Sequence, residues 1–186
     1  MTTILAIDPG NTESGWATID TDSRRPLEFG KTNNGELRRA ILAGDFENCD
    51  GAYIEMIGHY GTGMPAGKDV FDTCVWIGRF TETIRLTTDA PPQPTRVLRP
   101  TVKAHHCNSA KAKDSNVIQS LVDRFTPGQG NFGKGTKAEP GWFYGFAKDV
   151  WQAYALAVYA ADTLTELPGQ TSVDDYLNPL KEVNGL

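Results

Sequence analysis

The chain has 186 residues and a mass of 20.3 kDa, with 39% apolar, 22% charged and 10% aromatic residues and a mean hydropathy of -0.38, the profile of one globular domain able to bury a single core without staples. Its three cysteines, Cys49, Cys74 and Cys107, are widely spaced with no CxxC pair, which argues against a zinc knuckle or a disulfide framework and points to a reducing cytoplasm. The net charge of -5 argues against a phosphate-rich partner on average, and the short apolar runs at 4–7 and 153–161 predict neither a signal peptide nor a membrane span.

In chain order, residues 3–8 form a short apolar run closed by Pro9-Gly10, 15–20 alternate apolar and polar, and 27–32 follow a charged turn. These read as three strands in an antiparallel meander. A short helix fits 35–43, and AYIEM at 52–56 reads as a fourth strand with Glu55 near its end. Residues 57–67 hold four glycines and a proline, a long loop. The 3.6-residue period over 70–86 predicts a helix, 95–98 a fifth strand, and 114–125 another helix. A second glycine-rich, basic loop spans 126–145, an alanine-rich helix spans 148–164, and residues 166–186 form a polar tail after a domain at 1–165. The order predicts a mixed five-stranded sheet, three antiparallel strands then parallel ones, flanked by helices: the ribonuclease H-like α/β arrangement.

Charge is unevenly spread. Residues 95–148 carry nine basic side chains against three acidic, a local +6, which leaves -11 on the rest. That asymmetry fits either a polyanion-binding face or a solvated loop and helix surface.

Three carboxylates fall at positions of interest. Asp8 stands at the end of the first strand before Pro-Gly, where an Asx turn would also favour aspartate. Glu55 lies in an otherwise apolar strand, where a carboxylate needs a cation, donors or an outward-facing edge. Asp149 falls in the first turn of the last helix, where acids are favoured by the helix dipole. The small face through Ala153, Ala157 and Ala160 lets that helix lie close on the sheet. In the predicted fold these three converge, and gathered carboxylates repel unless cations neutralise them. Hard oxygen donors with no Cys or His partner favour Mg²⁺ or Mn²⁺, and two such ions about 4 Å apart are a standard means of phosphodiester hydrolysis.

ILAIDPGNTESGWATID around Asp8, AYIEM around Glu55 and KDVWQAYALAV around Asp149 resemble, in order, the RuvC-like Holliday junction resolvases, in particular their phage-type branch. NSAKAKDSNVIQSLVDRF and KGTKAEPGWFYGFAKD are similar to that family's lysine-containing helix start and its approach to the last helix. The resemblance covers about 3–162. It implies a homodimer that presents two active sites to a four-way DNA junction and makes paired, metal-dependent nicks. Asp8, Glu55 and Asp149 would be the catalytic metal ligands, with two Mg²⁺ or Mn²⁺ per site. Lys113, or Lys111, would stand near the scissile phosphate. One departure is Gln152, at the position where the family's second helical acid is expected; its amide oxygen can ligate a metal but adds no negative charge.

Tyr60 in the first glycine-rich loop reads as a base-stacking residue or as part of an ordinary surface loop, and Lys103, Lys111, Lys113, Lys134 and Lys137 as phosphate contacts. His105-His106 reads as a solvated or phosphate-contacting pair, the aromatics at 142–146 as a base stack or a plug into the core, and Trp76 and Phe80 as a dimer surface or a core face. Two other functions fit less of the chain. A branched-DNA-binding module without cleavage would explain Gln152. An actin-like nucleotide-binding domain shares the Asp-x-Gly first strand but needs a second such domain.

Overall fold

The computed structural model describes residues 2–58, 67–87 and 94–164. Tyr60 and the tail at 166–186 lie outside these residues. A single sheet in the order β3-β2-β1-β4-β5 is built from β1 (Thr3–Asp8), β2 (Glu13–Asp20), β3 (Pro26–Asn33), β4 (Gly51–Met56) and β5 (Thr95–Leu98). β1 pairs antiparallel with β2 and parallel with β4, and β4 pairs parallel with β5. This is the mixed arrangement expected from the element order.

Side chains alternate across the sheet, so each central strand feeds two cores. Ile4 and Ala6 of β1, with Ala17 and Ile19 of β2, enter the core beneath α5 (Lys148–Leu164), α4 (Asp114–Phe125) and α3 (Arg99–Cys107). Leu5, Ile7 and Ile54 enter the other, beneath α1 (Asn34–Ala43) and α2 (Lys68–Thr87). From Val150 to Ala161 all but Tyr159 are buried on α5, and alanines at 153, 155, 157, 160 and 161 let it press onto β1, β2 and β4. Among the described residues no helix is long and apolar enough to cross a membrane.

α3 is an element that sequence reading missed. Pro100 sits in its first helical turn, where its missing N–H has no partner to lose. Asn108 closes α3 in the left-handed conformation.

Packing decides three expectations about surfaces. His106 is no solvated residue: its Nε2 lies 2.8 Å from the carbonyl of Ala155, joining α3 to α5, and burial lowers its pKa to about 4. His105 Nε2 meets Asp162 Oδ2 at 2.8 Å, and that carboxylate also receives Arg24 and Arg124. Phe143 and Phe146 plug the second loop into the α5 core, while Trp142 stacks on Phe125 with ring centroids 5.3 Å apart and donates to Tyr154 Oη. Phe80 is fully buried and the partly buried Trp76 packs beside it, so both contribute to the inner core. The outward apolar residues of α2 are instead Phe71, Val75 and Leu86.

Candidate active site

The parity of β1 that buries Ile4 and Ala6 beneath α5 carries Asp8 to the same face. In the parallel ladder Ile7 stands opposite Ile54, so Asp8 and Glu55 are the next residues of adjacent strands. Glu55 in turn pairs with Val97, two residues before Arg99 at the start of α3. Strand register alone thus lines up one carboxylate, a second carboxylate and a guanidinium along the sheet end.

Asp149 is brought to this place by a glycine. Gly15 pairs with Asp8 across β1 and β2, and the backbone of Asp149 lies directly against it. Upstream, Lys134 Nζ donates to the carbonyl of Phe146 at 2.7 Å and closes the loop that leads into α5.

A buried polar knot holds the turn after Asp8. Ser14 Oγ donates to Asn34 Oδ1 at 2.6 Å, Asn34 Nδ2 donates to the carbonyl of Gly10 at 2.9 Å, and the Asn34 N–H donates to the carbonyl of Thr12 at 3.0 Å. Asn11 Nδ2 reaches Asp69 Oδ1 on α2 at 3.0 Å. The open cleft beside this turn, about 260 Å³, is lined by Asp8, Asn11, Thr12, Glu13, Lys31 and Asp149.

Charges in the cluster are interleaved. Arg99 Nη1 is 2.7 Å from Glu55 Oε1 and 3.8 Å from Asp8 Oδ1, and its Nη2 is 2.9 Å from Asp114 Oδ2. Lys103 Nζ is 3.0 Å from Asp114 Oδ1. Lys31 Nζ is 2.9 Å from Asp149 Oδ2 and 3.0 Å from Glu13 Oε2. Burial, then the neighbouring charge of Glu55, pushes the Asp8 carboxyl well above its ordinary range; Arg99 only partly offsets them. Glu55 is also raised by burial, against the pull of Arg99. Among the described residues no hydrogen bond reaches the Asp8 carboxylate, and no three Asp, Glu, His or Cys side chains stand close enough to ligate one metal ion; Arg99 and Lys31 lie on Glu55 and Asp149 instead.

The expected site residues therefore divide. Asp8, Glu55 and Asp149 lie at one sheet end, where Asp8 feels the charge of both others. Gln152 is buried one turn further along α5. Lys113 is exposed beside Asp114, its N–H donating to Asn116 Oδ1 at the start of α4. Lys111 and Lys137 are exposed and make no ion pair among the described residues. Lys103 and Lys134 are committed internally, to Asp114 and to the Phe146 carbonyl, so the basic surface is smaller than the charge count suggests. Arg99, Asp114, Lys31 and the Asn34 knot were missed. The signal for Arg99 was its place directly after β5, next to the strand that carries Glu55.

No protein-family model matches the sequence, and no curated protein matches it. Among solved structures the chain is similar to Thermus thermophilus RuvC, at 13% identity and a TM-score of 0.61, covering 89% of this chain and 97% of that one. It is similar also to T. thermophilus RuvC in complex with Holliday junction substrate, at 14% identity and a TM-score of 0.61, covering 88% of this chain and 97% of that one. The chain has the fold of a RuvC-like Holliday junction resolvase.

Proposed function

We propose that this chain is a metal-dependent endonuclease that resolves four-way DNA junctions by paired phosphodiester hydrolysis. The observation that carries the reading is the gathering of Asp8, Glu55 and Asp149, from β1, β4 and α5, at one end of a RuvC-like sheet. The donor set fits a hard divalent cation: carboxylate oxygens only, one of them without a hydrogen-bond donor and raised in pKa by burial and then by the charge of Glu55. Asp8, Glu55 and Asp149 would hold the ion, with the Gln152 amide as a neutral fourth donor. Mg²⁺ or Mn²⁺ bound there supplies Lewis acidity and an activated water for attack on phosphorus.

The chain's own residues do the rest. The Asn34 knot and Gly15 keep the Asp8 and Asp149 backbones fixed. Lys113 and Lys111, exposed at the start of α4, meet the DNA phosphates, and Lys137 extends that contact from the second loop. Tyr60 stacks on an unpaired base at the junction. A second copy of the chain supplies the second nick.

A labelled four-way junction incubated with Mn²⁺ tests this. Symmetric nicks that vanish in Asp8→Asn support the reading; tight binding without product at any metal concentration replaces it with a branched-DNA-binding module.

A further inference from the structure

Arg99 enters the acidic cluster at its most buried point. Its two terminal nitrogens are spread over carboxylates from separate elements: Glu55 of β4 at 2.7 Å and Asp114 of α4 at 2.9 Å, with Asp8 of β1 at 3.8 Å. Lys103 at 3.0 Å from Asp114 reinforces the tether from the far side. An arginine is always charged and its fork is fixed, so it cannot leave such a place by losing a proton. It can leave only by turning away, and Asp114 holds it against that.

The charge balance has a consequence. Asp8, Glu55 and Asp149, with the tethering Asp114 and Glu13, face Arg99, Lys103 and Lys31 in direct ion pairs. Five carboxylates against three cations leave a formal excess of two negative charges, which one divalent ion neutralises. Two ions would overshoot it, and Gln152 brings no further charge to absorb the second. One Glu55 oxygen already shares its charge with Arg99 at 2.7 Å, so it is a weaker donor to a metal.

We propose that Arg99 is a built-in counter-cation of this site, a positioning residue that fills the second cationic place, so that each chain takes one divalent ion where the sequence resemblance implied two. The inference rests on the reading of Asp8, Glu55 and Asp149 as metal ligands. Asp114 and Lys103 keep the guanidinium on Glu55 when the ion is bound.

Calorimetric titration of the metal-free chain with Mn²⁺ reads this without reference to cleavage. The wild type binds one Mn²⁺ per chain, Asp8→Asn binds none, and Arg99→Lys retains one. Arg99→Gln, which removes the charge and keeps a polar, shorter side chain, binds at least tenfold more tightly or takes a second ion. Its melting temperature also rises with Mn²⁺ by more than the wild type's. Should Arg99→Gln fail to fold in chelator, its recovery by Mn²⁺ but not by Na⁺ reads the same exchange of cations, and no recovery overturns it. Two ions in the wild type, or an Arg99→Gln variant with unchanged stoichiometry and affinity, overturns the proposal while leaving the nuclease reading intact. No Mn²⁺ on any variant overturns both.

Discussion

Gly15 and Asp149 are in direct backbone contact: a methyl group on Gly15 would stand 2.4 Å from the Asp149 carbonyl oxygen. Because Gly15 also pairs with Asp8, this one bare Cα sets the separation between the carboxylates of β1 and α5. Gly15→Ala is expected to push the first turn of α5 off β2, at about 1–3 kcal/mol of overpacking strain. Thermal unfolding should show that loss, and junction cleavage should fall much further than the stability change explains, because Asp149 is displaced from Asp8. An alanine variant with wild-type cleavage would show that the contact has no role in the site.

Acid–base behaviour separates the site from the rest of the fold. Asp8 has a folded pKa above its ordinary 3.8, with burial the first cause and Glu55 the second, and Glu55 is raised above its ordinary 4.5. A folded state that holds a proton more tightly than the unfolded chain keeps that stability below the ordinary pKa and loses it as pH rises through the raised one. In chelator, Asp8→Asn should therefore be more stable than the wild type at pH 8 and approach it near pH 4. Parallel denaturant titrations at the two pH values check the sign; an Asp8→Asn chain less stable at pH 8 contradicts it.

His106 works in the opposite direction. Its folded pKa, lowered by burial to about 4, lies below its ordinary 6.5, so the unfolded chain takes the proton first and stability falls as pH drops from 6.5 towards 4. The loss should reach about 2–3 kcal/mol. His106→Gln, which can still donate to the Ala155 carbonyl, is expected to flatten that limb of the stability curve, measured by urea unfolding across the interval.

The lysines divide by what they touch. Lys111 and Lys137 are exposed without ion pairs among the described residues, whereas Lys134 donates to Phe146. Lys111→Ala and Lys137→Ala should each weaken junction binding and lower the salt slope of log K by about 1. Lys134→Ala should leave that slope unchanged and destabilise the chain by about 1 kcal/mol through the lost hydrogen bond. Binding isotherms at several salt concentrations distinguish the two classes.

How far the sequence shows the fold depends on whether a signal is local. Thr95–Leu98, Asp114–Phe125 and Lys148–Leu164 are legible to the residue, because period, caps and composition all lie within the segment. Arg99–Cys107 is not, because Pro100 carries one sequence signal for both a turn and a helix start. The three carboxylates stand out because each sits at the end of a strand or the start of a helix. Their counter-cations do not: Lys31 and Arg99 meet Asp149 and Glu55 only through register and packing, and nothing near them in the chain announces it. Trp76 and Phe80 show the same limit, since an apolar helical stripe looks alike whether it faces a core or a partner.

The central claim is that Asp8, Glu55 and Asp149 hold a divalent cation together. Crystals soaked in Mn²⁺ and measured at the manganese absorption edge test it most directly. The account predicts an anomalous peak within bonding distance of carboxylate oxygens from all three residues, absent in Asp8→Asn. A peak held elsewhere, or one unaffected by Asp8→Asn, would contradict it.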